Sequence, residues 1–167
     1  MPNILCIYYS RTGTTEKLVQ EVAKDLRCDM VKLEDGVDRA GLLGWLRCGM
    51  QAMARKVPPV KKPETKLPLA KYDLVILATP VWAGRCSAPM RSFLTLCGND
   101  LNKVAYLITR GSDVRYEEIF DQMDMYVKEP RVEAATIRPG TVGSDFWKEE
   151  FLRGIREAVG EGACHAG

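Results

Sequence analysis

Apolar runs long enough to be buried strands recur along the chain, and each is followed by a more polar segment. Residues 4–9, 72–79 and 102–109 have nearly unbroken apolar cores, a pattern typical of parallel strands covered on both faces. Residues 28–34 alternate imperfectly, which indicates a strand near a sheet edge, and residues 132–137 are a weaker fifth candidate. The hydrophobic pattern therefore predicts five strands.

Helical spacing of apolar residues separates these strands. It appears in residues 16–26, 88–97, 115–127 and 144–159. Strands that alternate with helices imply right-handed crossovers and a mostly parallel sheet with helices on both faces. We therefore predict an α/β fold, a doubly wound sheet in a three-layer α/β/α sandwich. Ligands of such folds bind beyond the carboxyl ends of the strands.

Residues 35–70 do not fit this alternation and are interpreted as an insertion. Residues 40–55 have apolar positions at helical spacing, which predicts an amphipathic helix, whereas residues 58–68 are rich in proline and should be extended. Trp45 either packs the insertion against the rest of the fold, the simpler interpretation, or forms a lid or docking surface. Residues 47–71 contain seven Lys/Arg and one Glu, a net charge of +6, whereas the whole chain carries +2. This basic segment is either a solvated face or a site for an acidic partner.

Length and composition favour one domain. The 167 residues are 46% hydrophobic, enough for a single buried core, so we predict one domain over residues 1–167. The small net charge gives no argument for binding of nucleic acid, and no apolar run approaches the length of a membrane span.

Six scattered cysteines without a C-x-x-C pair suggest reduced thiols rather than a metal site or disulfide framework. With no signal-like N-terminus, we expect a cytoplasmic protein, and His165 is expected in a mobile tail.

The first strand ends in a hydroxyl-rich turn that precedes a helix. The sequence of this turn is Ser10-Arg11-Thr12-Gly13-Thr14-Thr15. Backbone N–H groups and hydroxyls at a helix N-terminus bind phosphate well, so we predict a phosphate-binding loop. It lacks the lysine of the nucleotide-hydrolysing loop and two of the three glycines of the dinucleotide fingerprint. The alternative is an ordinary helix cap at Thr14 or Thr15.

Two further stretches follow the third and fourth strands and should meet this turn at the same edge. Residues 79–89 place Trp82 at a strand end, followed by small residues that let a ligand approach the backbone. Trp82 either stacks on a flat ligand or folds back into the core. Residues 109–113 offer hydroxyl, backbone and carboxylate groups to a heterocycle, or form a turn with a helix cap at Ser112 or Asp113.

The three stretches together resemble the flavodoxin family, in particular its short-chain flavodoxin-like members, and the resemblance covers about residues 3–160. It implies five parallel strands in the order 2-1-3-4-5 with FMN bound non-covalently at their carboxyl edge. Ser10, Thr12, Thr14 and Thr15 would hold the phosphate, and Trp82 would stack on the isoalloxazine. The residues that the resemblance assigns to FMN binding are Ser10, Arg11, Thr12, Gly13, Thr14, Thr15, Pro80, Val81, Trp82, Ala83, Gly84, Thr109, Arg110, Gly111 and Asp113.

The resemblance implies an FMN-binding electron-transfer protein that works with a redox partner protein or a small-molecule electron donor or acceptor. The peptide at Ala83-Gly84 is the candidate contact to the flavin N5 region, because glycine lets a carbonyl reorient. The basic insertion departs from the acidic surface of flavodoxin carriers, and Tyr116 is expected within a helix, which leaves one flavin face open. These departures favour the alternative of an FMN-dependent NAD(P)H or quinone oxidoreductase, including protoporphyrinogen-oxidase-like activity. A third possibility is a phosphate-binding module without flavin.

Overall fold

The structure is a computed structural model, and it describes residues 2–34 and 62–164, the last four without their side chains. The predicted insertion helix at residues 40–55, with Trp45, lies outside the described residues, and so does His165. Of the proline-rich stretch, residues 62–68 are described, and they contain neither helix nor strand, as predicted.

The sheet contains six strands rather than the five predicted. They are β1 (Ile4–Tyr8), β2 (Asp29–Lys32), β3 (Leu74–Trp82), β4 (Arg85–Cys86), β5 (Lys103–Thr109) and β6 (Glu133–Ile137). Five of them run parallel in the order β2-β1-β3-β5-β6, which confirms the predicted order of the five strands and the position of β2 at a sheet edge. The additional strand, β4, contains two residues and pairs antiparallel with the end of β3.

Helices cover both faces of the sheet because successive residues of each central strand point to opposite sides. The helices are α1 (Thr14–Leu26), α2 (Ala88–Cys97), α3 (Glu118–Asp124) and α4 (Ser144–Cys164). On one face, Leu5 and Ile7 of β1 belong to a core that includes residues of α2 and α3. On the other face, Cys6 belongs to a core that includes residues of α1 and α4. The predicted three-layer arrangement is confirmed.

Helix boundaries agree with the sequence patterns to different degrees. α2 has the predicted limits, and α1 begins two residues earlier than predicted. α3 is shorter than the predicted 115–127, because residues 114–116 are irregular before it begins at Glu118. Among the described residues, no helix is long and apolar enough to cross a membrane.

Candidate functional site

Three connections meet at the carboxyl edge of the sheet, because β1, β3 and β5 are neighbours in it. We call them loop 1 (residues 10–15), loop 2 (residues 79–87) and loop 3 (residues 109–116). The Thr15 Oγ1 and Thr109 Oγ1 atoms are 2.7 Å apart, a buried hydrogen bond that joins loops 1 and 3. Pro80 lies opposite Thr109 in the β3–β5 ladder, which joins loops 2 and 3. The predicted site residues of the three loops are thus brought together.

Loop 1 enters α1 through a glycine. Gly13 is the N-cap of α1, with φ 92°, and no side chain caps the helix from that position. The hydroxyl of Ser10 instead accepts hydrogen bonds from the backbone N–H groups of Gly13, at 3.0 Å, and Glu16, at 3.3 Å. The alternative in which Thr14 or Thr15 caps the helix is therefore wrong.

The remaining donors of loop 1 lie at the positive end of the α1 dipole. The N–H groups of Thr14 and Thr15 have no partner within the helix, because they belong to its first turn. The hydroxyls of Thr12 and Thr14 are 3.4 Å apart on exposed residues. Ser10 and Thr15, by contrast, are buried and use their hydroxyls within the protein. The half-buried Arg11 adds a positive charge to this loop.

A carboxylate also lies in the first turn of α1, but it is turned away toward the sheet. The hydroxyl of Tyr8 donates to Glu16 Oε1 at 2.7 Å, and Lys32 Nζ lies 3.9 Å from the same oxygen. Burial, followed by the hydrogen bond to Glu16, raises the pKa of Tyr8, so the phenol keeps its proton as a donor. These two partners offset the negative charge that would otherwise oppose an anion at this helix end.

Loop 2 is a β-hairpin rather than an irregular loop. β3 continues through Pro80 and Val81 to Trp82, and the chain then reverses at Ala83 and Gly84, with φ 51° and 75°. Positive φ at both central residues is the type I′ turn that matches the twist of a two-residue hairpin. β4 follows this turn and pairs with the end of β3.

A hydroxyl pair fastens the base of this hairpin. Thr79 Oγ1 and Ser87 Oγ are 2.9 Å apart, and the Ser87 N–H donates to Thr79 Oγ1 at 2.9 Å. The hydroxyl of Ser87 also accepts from the N–H of Met90 and so caps α2. These hydrogen bonds connect the hairpin to α2, whose own position is set by its packing in the core.

Trp82 is placed in the core. Its side chain is 5% exposed, and its ring meets that of Tyr9 edge-on, with centroids 5.3 Å apart and planes at 89°. This arrangement supports the interpretation of Trp82 as a core residue, in contact with the residue that directly follows β1. Stacking of a flavin on Trp82 stays a prediction, and it requires the ring to be uncovered.

Loop 3 contains a buried donor that the protein does not use. Among the described residues, Arg110 Nε is buried without a hydrogen-bond partner, whereas Arg110 Nη1 donates to the Ser112 carbonyl at 2.6 Å. The exposed Asp113 is paired with Arg138 at 2.7 Å. A buried N–H without an acceptor is costly, so the position of Arg110 fits a ligand oxygen.

Tyr116 lies in loop 3 and not in the helix in which the sequence pattern placed it, so the sequence did not offer it as a candidate site residue. It precedes α3, with φ 56°, and its hydroxyl lies 3.4 Å from Ser112 Oγ, so the ring folds back over loop 3. The predicted cap at Ser112 or Asp113 is also wrong, because α3 begins at Glu118 with Glu117 as its N-cap. Positive φ is uncommon for a tyrosine, so the residue type gave no indication of this conformation.

Each loop contains one glycine that borders open space. A Cβ built on Gly13, Gly84 or Gly111 would meet nothing within 4 Å. Positive φ explains the first two glycines, but Gly111 has neither positive φ nor a crowded neighbour. Close approach of a ligand to the backbone would account for a glycine at this position.

Thiol and metal chemistry receive no support at this edge. Cys86, at the end of the hairpin, is 4% exposed, and burial raises its pKa to about 11 although Arg91 acts in the opposite direction. A thiol of this kind is a poor nucleophile at neutral pH. In the part of the chain that the structure describes, no group of three or more His, Cys, Asp or Glu residues is placed to hold a metal ion.

Solved flavoproteins share this fold. A flavoprotein from Lactobacillus acidophilus NCFM, solved in complex with FMN, is 18% identical, with a TM-score of 0.67 over 88% of this chain and 99% of its own. Oxidised flavodoxin 1 from Bacillus cereus is 16% identical, with a TM-score of 0.53 over 94% and 97%. An NADH:FMN oxidoreductase in its apo form is 15% identical, with a TM-score of 0.59 over 95% and 88%. No family model and no curated protein matches the sequence. The likeness in structure confirms the predicted architecture: the chain has the flavodoxin-like fold.

Proposed function

We propose that this chain binds FMN non-covalently at the carboxyl edge of its sheet and acts as an electron-transfer protein. The observation that carries the proposal is the set of unused donors in loops 1 and 3, above all the buried Arg110 Nε without a partner among the described residues. Of the solved structures with this fold, one is a complex with FMN and another is an NADH:FMN oxidoreductase. FMN supplies one-electron and two-electron redox chemistry when it is bound.

Loop 1 is the proposed phosphate site. Thr14 and Thr15 present N–H groups at the positive end of α1, and the hydroxyls of Thr12 and Thr14 add two further donors. Ser10 acts through the backbone, because its hydroxyl fixes the N–H groups of Gly13 and Glu16 and so holds the turn in shape. This set of donors suits a dianionic phosphate at a helix N-terminus.

Loops 2 and 3 are the proposed site for the ring system. Arg110 would donate from Nε to a ring oxygen, and Gly111 would let the backbone come close to the ring. The hairpin turn at Ala83 and Gly84 would present its peptide to the N5 region, as the sequence predicts. Tyr116 lies on the same loop as Arg110 and adds an aromatic ring to this edge. In this proposal, no side chain acts as an acid or base, and the protein positions the flavin and sets its potential.

An absorption spectrum tests the proposal. The protein is measured as purified, then after addition of FMN and removal of the unbound flavin by gel filtration. We expect a flavin spectrum corresponding to about one FMN per chain, either from the start or after the addition. A colourless protein that retains no FMN would contradict the proposal and favour a phosphate-binding module without flavin.

An FMN-dependent NAD(P)H or quinone oxidoreductase, including a protoporphyrinogen-oxidase-like enzyme, is the second candidate, and the charge of the site favours it. Loops 1 to 3 contain four arginines, Arg11, Arg85, Arg110 and Arg115, but a single carboxylate, Asp113, which is already paired with Arg138. A positively charged site attracts an anionic dinucleotide. It also differs from the acidic surface of a flavodoxin carrier.

Direct reduction separates these two candidates. The FMN-loaded protein is mixed anaerobically with NADH or NADPH, and the visible flavin band is followed without any partner protein. Rapid bleaching at a rate that saturates with the dinucleotide supports the reductase. An unchanged band, together with bleaching by dithionite as a positive control, supports the carrier.

A further inference from the structure

Two cysteines that are distant in sequence lie in contact beneath α1. Cys6 is in the middle of β1, and Cys28 is in the connection between α1 and β2. Their Sγ atoms are 3.6 Å apart. Cys6 pairs with Met30 across the β1–β2 ladder, and Cys28 lies two positions before Met30, so the parallel register of this pair of strands brings the two sulfurs together.

The two thiols differ in their access to solvent. Cys6 is fully buried, whereas Cys28 is half-buried. The hydrogen bond from Cys6 lowers the pKa of Cys28 despite partial burial, while the same hydrogen bond and burial raise the pKa of Cys6. Since the thiolate is the reactive form, Cys28 is the thiol that reacts first and Cys6 is the one that follows.

Cys86 and Cys97 provide a contrast within the same chain. Both are buried, and burial raises the pKa of each thiol. Neither combines solvent access with a neighbouring sulfur in the described part of the chain. Metal binding does not explain the Cys6 and Cys28 pair, since the described residues place no third ligand beside it.

We propose that Cys6 and Cys28 are a redox-active pair that forms a reversible intramolecular disulfide. Formation of the bond requires the two sulfurs to approach from 3.6 Å to about 2.0 Å, which side-chain rotation and a small movement of the connection can supply. The bond would tie β1 to the carboxyl-terminal end of α1, the same helix whose other end forms part of loop 1. This proposal does not depend on FMN binding.

The oxidant is a small disulfide such as oxidised glutathione. The thiolate of Cys28 attacks one sulfur of this disulfide, whose S–S bond breaks and releases the first glutathione as a thiolate. The Cys6 sulfur then attacks Cys28 Sγ, which forms the Cys6–Cys28 bond and releases the second glutathione, whose sulfur takes the proton of Cys6. Two electrons pass from the protein to the small disulfide, and two thiols leave.

Peptide mapping tests the proposal on the full-length chain. Reduced protein is equilibrated anaerobically with reduced and oxidised glutathione in varied ratio, quenched with a thiol-alkylating reagent, digested without reduction and analysed by mass spectrometry. We expect one cross-linked peptide pair, joining Cys6 to Cys28, that increases with the oxidised fraction and disappears on reduction. Cys86 and Cys97 should remain unmodified in the folded protein.

Variants assign the order of attack. In Cys28→Ser, both the cross-link and any modification of Cys6 should be lost. In Cys6→Ala, a glutathione adduct should persist on Cys28, because the thiol that would displace it is absent. Cys97→Ser is the matched control and should leave the cross-link unchanged. Should Cys6→Ala not fold, the wild-type map and Cys28→Ser still decide the question.

Two results would overturn the proposal. In one, Cys6 and Cys28 show no cross-link at any glutathione ratio in the folded wild-type protein. In the other, Cys28 forms disulfides equally with several cysteines of the chain, which would show that contact with Cys6 does not direct the reaction.

Discussion

Thr12, Thr14 and Thr15 have different roles although they are neighbours of the same type in loop 1. Thr12 and Thr14 are exposed, whereas Thr15 is 2% exposed and bonded to Thr109. The difference arises because the first turn of α1 directs Thr15 toward β5 and Thr14 toward solvent, whereas Thr12 precedes the helix. The sequence predicted the loop and its donors, but it could not show which hydroxyl the protein itself uses.

The Thr15–Thr109 pair leads to a prediction about stability. Thr15→Val or Thr109→Val alone should lower the free energy of unfolding by about 1–3 kcal/mol, because each leaves a buried hydroxyl without its partner. The double variant should cost clearly less than the sum, since both polar groups are then gone. Urea denaturation of the wild type, the two single variants and the double variant, without added ligand, gives the coupling free energy between the two hydroxyls.

Thr12→Val is the control for this cycle. Thr12 is exposed, so its replacement should change the free energy of unfolding by less than about 0.5 kcal/mol. Strictly additive losses at Thr15 and Thr109 would show that the short hydroxyl contact does not stabilise the protein.

At the scale of elements, the parallel strands were predictable and the hairpin was not. Strands β1, β3 and β5 have nearly unbroken apolar cores because both of their faces are covered, and such runs are visible in any sequence. Pro80 ended the predicted third strand, yet β3 continues through it to Trp82. A proline lacks only its own N–H, so a neighbouring strand can still pair on its other side.

The hairpin turn gives a prediction for a stabilising change. Ala83 occupies the first position of the type I′ turn with φ 51°, a conformation that asparagine adopts more readily than alanine. Ala83→Asn should therefore raise the free energy of unfolding by about 1 kcal/mol, equivalent to roughly 2–4 °C in Tm for a chain of this size. Thermal denaturation followed by circular dichroism measures the change.

Gly84→Ala is the matched opposite of that substitution. Gly84 has φ 75° and open space around a built Cβ, so alanine there would be strained without a clash. The Tm of Gly84→Ala should therefore fall by about as much as Ala83→Asn raises it. If Ala83→Asn also lowers Tm, the turn is not of type I′ in solution.

At the scale of the whole molecule, contacts between residues distant in sequence determine features that the sequence left open. Thr15 and Thr109 are 94 residues apart, and Cys6 and Cys28 are 22 residues apart. Strand order was predictable because the resemblance implied it. The contacts themselves depend on side-chain directions at strand ends, which hydrophobic periodicity does not specify. Positive φ at Ala83 and Tyr116 was hidden for a similar reason, since neither residue type favours it.

A ligand held by loops from three neighbouring strands should stabilise the whole fold. If FMN binds as proposed, FMN at 100 times its dissociation constant adds about 2.7 kcal/mol to the free energy of unfolding. For a chain of this size that corresponds to a rise in Tm of roughly 5–10 °C. Riboflavin, which has the same ring system without the phosphate, should give a smaller shift at the same concentration, because it cannot use the donors of loop 1.

Thr14→Val tests whether the difference between FMN and riboflavin arises from the contacts of loop 1 to the phosphate. Loss of a hydrogen bond to a charged group costs about 1.5–3 kcal/mol, so FMN affinity should fall roughly 10-fold to 100-fold while riboflavin affinity stays unchanged. Thr95→Val on α2 is the control, since Thr95 Oγ1 donates to the Arg91 carbonyl within that helix. Fluorescence titration with both flavins measures the affinities. Equal losses for FMN and riboflavin in Thr14→Val would show that loop 1 does not hold the phosphate, even if the protein binds flavin elsewhere at this edge.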